Sequence, residues 1–185
     1  MKATGIVRRI DDLGRVVIPK EIRRTMRIRE GDPLEIFTDR EGTVILKKYS
    51  PIYELGSFAH EYTEALHRNL EHIACICDKD AFVAYSGVAS KSFKDKKISP
   101  ELDKIIQEKK TVVANADQGD VLYILTQDES PPSRYNAQVI TPIVNMGDPV
   151  GAIILLSREP GVIMGDVEVL ISETTAGFLV GHLGQ

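Results

Sequence analysis

The chain has 185 residues, with 23 Lys or Arg against 27 Asp or Glu, 43% apolar residues and two cysteines. This composition suits a globular chain with one good core or two small ones, and it excludes a disordered chain and a disulfide scaffold. The net charge of −4 hides an asymmetry: residues 1–50 carry twelve basic and eight acidic side chains, whereas the remainder carries eleven and nineteen.

No secretory signal is expected, because Met1–Ile10 has charges but no apolar stretch. The longest apolar run, Ala152–Leu156, is too short to span a bilayer. Cys75 and Cys77 lie two apart on a predicted strand, which is poor geometry for a mutual bridge. A reduced cytoplasmic setting, with no membrane partner, is the expectation.

Gly5 to Arg29 is the most informative stretch. It holds nine basic residues, counting Lys2, against three acids. Two apolar runs, Gly5–Ile10 and Arg15–Ile18, flank the turn Asp11-Asp12-Leu13-Gly14 and read as strands. Pro19 then opens a short helix. At helical spacing Lys20, Arg23, Arg24 and Arg27 share one face, with Ile22 and Met26 opposite. Arg8 and Arg9 lie on the preceding strand, and Arg15 lies just past the turn. Together these seven predict a guanidinium-rich surface, and Arg suits phosphate because its planar fork pairs bidentately with the oxygens. A solvated face would mix signs, yet Glu21 is the only acid from Gly14 to Arg29. A nucleic-acid surface is the implied reading.

Gly31-Asp32 marks a turn, and Leu34–Thr38 and Thr43–Lys48 predict a hairpin across Asp39-Arg40-Glu41-Gly42. Fifty residues in four short strands give a marginal core, so self-association follows on physical grounds. A helix-turn-helix does not fit, since the chain returns to strand at Leu34.

Ser50-Pro51 caps a second helix, predicted from Ile52 to about Glu71. Leu55, Tyr62 and Leu66 fall at seam spacing on it and predict an oligomer contact, with tetramers built through C-terminal helices. Strands are predicted over His72–Asp78 and Phe82–Ser86. A helix runs from Ser99-Pro100 to about Lys109, and short strands cover Val112–Ala114 and Val121–Thr126. Asp128–Asn136 reads as a Pro-containing loop. A second hairpin covers Val139–Val144 and Val150–Ser157. The last helix runs from Asp166 to about Leu183, with Val167, Leu170, Ile171, Thr174 and Phe178 on one side.

The motifs TGIVR, D-x-LGRVVIP, E-x-RRT, I-x-x-GD-x-LEI and ILKKY occur in order between Ala3 and Tyr49. Here the chain resembles the DNA-binding domain of the AbrB family of bacterial transition-state regulators, departing from its pattern at Met26 and Arg27. With its second domain it resembles the sporulation-regulator branch of that family. The resemblance implies a mixed fold. Residues 1–50 would be an all-β swapped-hairpin barrel with a short helix, dimeric because two chains interleave hairpins. Residues 51–185 resemble a GAF domain, an α+β sensory and oligomerisation module with a central antiparallel sheet. An unidentified small-molecule effector would then be a second partner.

No H-E-x-x-H, G-x-G-x-x-G or Walker loop is present, so no metal or other cofactor is expected. His60 and His67 read as surface residues and the cysteines as small core residues. Two rival functions remain open at this point. An antitoxin would share the head but carry a short disordered tail. A GAF-like thiol enzyme would need Cys75 or Cys77 activated.

Overall fold

The computed structural model describes residues 5–129 and 135–183; residues 130–134 of the predicted Asp128–Asn136 loop lie outside the described residues. The chain divides into two compact units, Met1–Tyr49 and Ser50–Gln185.

In the first unit, the head, the hairpin forms as patterned. Strands β1 (Leu34–Thr38) and β2 (Val44–Lys48) pair antiparallel, with Ile36 opposite Leu46. The two strands expected over residues 5–18 do not form a ladder within the chain. The turn between them is closed by a bond from the Asp11 N–H to the Arg15 carbonyl at 3.0 Å. Helix α1 spans only Lys20–Thr25, with Pro19 as its N-cap rather than its first residue.

The end of α1 corrects the expected basic face. Met26 is the C-cap and Arg27 takes the left-handed conformation, φ 52°. The Ile28 N–H bonds back to the Arg23 carbonyl at 2.7 Å and the Arg27 N–H to that of Arg24 at 3.2 Å. These are the two bonds of a Schellman motif, whose left-handed position Gly usually fills. Arg27 therefore leaves the helix before completing the i+7 position.

In the second unit, the body, Ser50 caps the short helix α2 (Pro51–Glu54), its hydroxyl accepting from the Tyr53 N–H at 3.2 Å. The long helix expected from Ile52 breaks at Leu55 and resumes as α3 (Gly56–Leu70). The sheet is five-stranded and antiparallel throughout. Its strands are β3 (Ile73–Asp78), β4 (Phe82–Ser86), β5 (Val112–Asn115), β6 (Ala137–Asn145) and β7 (Asp148–Ser157), in the order β4-β3-β7-β6-β5. Helix α4 (Pro100–Glu108) covers one face, and α3 with α5 (Asp166–His182) covers the other. Strand alternation feeds both sides: Ile73, Cys75 and Cys77 pack with α4, while Ala74 and Ile76 pack with Leu66 and Leu179.

Val121–Thr126 is not a strand, apart from a single bridge at Thr126. Side chains take its backbone groups instead. Gln138 Oε1 accepts from the Tyr123 N–H and its Nε2 donates to the Tyr123 carbonyl. Glu101 accepts from the Ile124 N–H and Glu129 from that of Leu125. At the start of α5, Gly165 is the N-cap and Glu168 accepts its N–H at 2.8 Å, so Asp166 is not the cap.

Candidate nucleic-acid interface

The basic surface is built on the Asp11 turn and on α1. Asp11 Oδ1 accepts the N–H groups of Leu13 at 3.0 Å and Arg15 at 2.7 Å. Gly14 closes the turn at φ 77°, a conformation that suits glycine. Asp11 Oδ2 then holds the Arg15 Nε at 2.8 Å, while the Arg15 side chain stays largely in solvent. The Arg15 backbone bond, and then its guanidinium, hold the Asp11 carboxyl below its ordinary pKa.

On α1, Lys20 and Arg24 are exposed and Arg23 is half-buried. The i, i+3, i+4 spacing puts these three on one face of a one-and-a-half-turn helix. The Arg23 Nε is buried without a hydrogen-bond partner, so the Arg23 stem is part of the packing. Arg8 and Arg9 are exposed on the segment before the turn. Arg27 is half-buried past the helix end, and its carbonyl accepts from Lys48 Nζ at 3.0 Å. Arg8, Arg9, Arg15, Lys20 and Arg24 are thus exposed and Arg23 half-buried, whereas Arg27 lies beyond the helical face. Sequence reasoning passed over Asp11, although its place four residues before Arg15, with Gly14 between, is the available signal.

Of the expected oligomer seam, Leu66 turns inward and Leu55 and Tyr62 are half-buried. Leu66 is only 5% exposed and sits in the body's own core, with Leu55 and Tyr62 packed against the same cluster. The apolar face of α3 is spent on the sheet. Helix α5 does the reverse: it buries Ser172, Thr175, Ala176 and Leu179 and leaves Leu170 66% and Phe178 59% exposed, with Val167 beside them. Phe58 of α3, unremarked in the sequence, stacks on His182 with ring centroids 5.1 Å apart.

On the α4 side of the sheet the Phe82 and Phe93 rings lie 4.6 Å apart and Tyr85 packs against Phe93. A groove of about 310 Å³ lies between β6 and α5, lined among others by Lys109, Thr111, Pro142, Val144, Glu173 and Val180. Cys75 and Cys77 are both buried core residues, and burial raises both thiol pKa values. Raised pKa values in apolar surroundings are the mark of structural cysteines. Among the described residues no group of His, Cys, Asp and Glu could hold a metal ion, and no helix is long and apolar enough to cross a membrane.

Comparison with known proteins supports both units. Residues 54–184 match the family described as stage V sporulation protein T C-terminal, transcription factor. Residues 7–54 match the family described as antidote-toxin recognition MazE, bacterial antitoxin. Over all 185 residues, covering 100% of both chains, this chain is 52% identical to stage V sporulation protein T of Bacillus subtilis (strain 168). Over 51 residues, 28% of this chain and 52% of the relative, it is 65% identical to the transition state regulatory protein AbrB of the same organism. The GAF domain of an Acinetobacter phosphoenolpyruvate-protein phosphotransferase covers 75% of this chain and 84% of its own length at TM-score 0.58 and 14% identity, which establishes a shared fold. The basic head and the GAF-like body are thus joined as in a sporulation regulator, and the chain belongs to the stage V sporulation protein T family of transcription factors.

Proposed function

We propose that this chain regulates sporulation-stage transcription by binding double-stranded DNA as a homodimer of its head, through Arg8, Arg9, Arg15, Lys20, Arg23 and Arg24. One observation carries the dimer. Among the described head residues only Pro19 is buried, while Val7, Leu13 and Ile10 are 84%, 71% and 68% exposed. An apolar surface of that kind marks a partner, and a second copy would close it in the swapped barrel. The same pairing doubles the basic face, as a site on duplex DNA requires. Two copies per duplex in a sedimentation titration of the full chain is the expected result. Binding by a single copy would overturn it.

The exposed α5 stripe supports assembly of dimers into tetramers, and Val167, Leu170 and Phe178 replace Leu66 as the contact. Engaging two DNA sites raises effective concentration without new contacts. A small-molecule effector would have the β6–α5 groove available. The protein acts in the cytoplasm on this reading, as a binding protein and not an enzyme. An antitoxin role shares the head but leaves the folded body unexplained; a toxin co-purifying in stoichiometric amount would favour it.

A further inference from the structure

Asp11 is an acid in the middle of a surface that would face phosphates. Coulomb repulsion makes it a cost to DNA binding, so its presence calls for a reason. Holding the turn is the simplest one, and a second turn in the head tests it. In the β1–β2 hairpin Asp39 Oδ1 accepts the N–H groups of Glu41 at 2.9 Å and Thr43 at 2.8 Å. The Asp39 N–H bonds the Thr43 carbonyl at 3.1 Å, as that of Asp11 bonds Arg15. The two turns share one frame, residue for residue. They differ at the residue four places after the aspartate. At Asp39 that residue is Thr43, whose side chain carries no charge. At Asp11 it is Arg15, and Oδ2 holds its Nε at 2.8 Å. A turn of this kind therefore needs no guanidinium.

Nor does the pair add much stability, because both partners are solvent-accessible and exposed ion pairs contribute little. What it does is fix a long side chain. Of the five guanidinium N–H groups the Nε–H is occupied, and the four on Nη1 and Nη2 have no partner among the described residues and can form the fork that pairs with phosphate or with guanine O6 and N7. A fork held in place before binding loses less freedom on docking.

We propose that Asp11 is a positioning residue for Arg15: it orders the guanidinium for one DNA geometry and sacrifices general affinity for discrimination. The proposal rests on Arg15 contacting DNA. The variant Asp11→Asn separates turn from fork. Asn keeps the Oδ1 acceptor and is itself at home in such turns, but its amide cannot accept the Arg15 Nε–H.

The probes are the duplex that the full chain enriches from a randomised library and a shuffled duplex of equal composition. Asp11→Asn is expected to bind the shuffled duplex as tightly as wild type or tighter, and to lose about tenfold in the ratio between the two. Arg15→Lys, which keeps the charge without the fork, should lose the ratio similarly. Asp39→Asn should lose nothing. In an Arg15→Ala background, Asp11→Asn should leave the ratio unchanged. An unchanged ratio in Asp11→Asn overturns the proposal, as does an equal loss with and without Arg15. If Arg15→Ala alone changed neither affinity nor ratio, the placement of Arg15 on DNA would fail, and the positioning role with it. Equal melting temperatures for Asp11→Asn and wild type confirm that the turn is intact.

Discussion

The head and the body handle burial in opposite ways. The body covers both faces of its sheet from within one chain: Ile76 and Ile153 on one side, Ile140 and Ile154 on the other, all fully buried. The head has comparable apolar patterning along Ile6–Ile10 and Val16–Ile18 but buries almost none of it. The same alternation of residues thus has two destinations. In the body it points at the chain itself, and in the head, on the proposal above, at a second copy. Such a head has little stability as a single chain, and its folding should depend on protein concentration where the body's should not.

The strongest way to break this contrast is to damage the body's core alone. A Cβ on Gly151 would lie 2.1 Å from the Cys77 carbonyl oxygen across the β3–β7 pair. Backbone cannot yield as a side chain can, so Gly151→Ala should destabilise the body by about 3 kcal/mol. Calorimetry of the full chain is expected to show the body's transition lowered and the head's unmoved. Equal loss in both would mean that the units do not fold independently. Leu66→Asp should act like Gly151→Ala, because it buries an unpaired carboxylate at the α3–sheet contact.

Phe178→Asp sharpens the contrast from the other side. Phe178 is exposed on α5, so its replacement should change the body's stability by no more than about 0.5 kcal/mol. Sedimentation should nevertheless show the four-chain species reduced to two. A tetramer that survives would put the contact elsewhere and leave the α5 stripe unexplained.

Smaller effects are expected on the basic face. Arg24 is exposed, so Arg24→Ala should leave folding intact and flatten the slope of log K against log salt by about one unit. Arg23→Ala should flatten it equally but also lower the head's stability by about 1 kcal/mol, because its stem is half-buried. A salt titration beside a thermal melt separates the two. Unchanged affinity in both would remove α1 from the interface.

The elements most legible in the sequence were those whose signals are local. Ser99-Pro100 and Ser50-Pro51 start helices where their caps say they should. Phe82–Ser86 alternates and is a strand. Where reading failed, the deciding partner was distant. Val121–Thr126 has the residues of a strand, but Gln138, Glu101 and Glu129 satisfy its backbone from elsewhere in the fold. Leu66 repeats at seam spacing whether the seam meets a sheet or another chain, and periodicity cannot tell the two apart. On the candidate site, the basic residues were legible from charge and spacing. The hold of Asp11 on Arg15 was not, because an acid in a turn usually serves the turn alone.

Arg27 gives the smallest effect and the finest test. Its φ of 52° places a residue with a Cβ in the region that suits glycine, at a cost of about 1 kcal/mol. The Schellman bonds of Arg27 and Ile28 use backbone atoms only and survive any substitution that keeps the conformation. The Arg27 carbonyl would still accept from Lys48. Arg27→Gly should therefore raise the head's stability by up to about 1 kcal/mol, less what glycine adds to the freedom of the unfolded chain. Because Arg27 has left the helical face, DNA affinity should stay within about twofold and the salt slope should lose less than one unit. A full unit lost from the slope would return Arg27 to the interface, and a lower melting temperature would show that its side chain packs more firmly than the strained backbone costs.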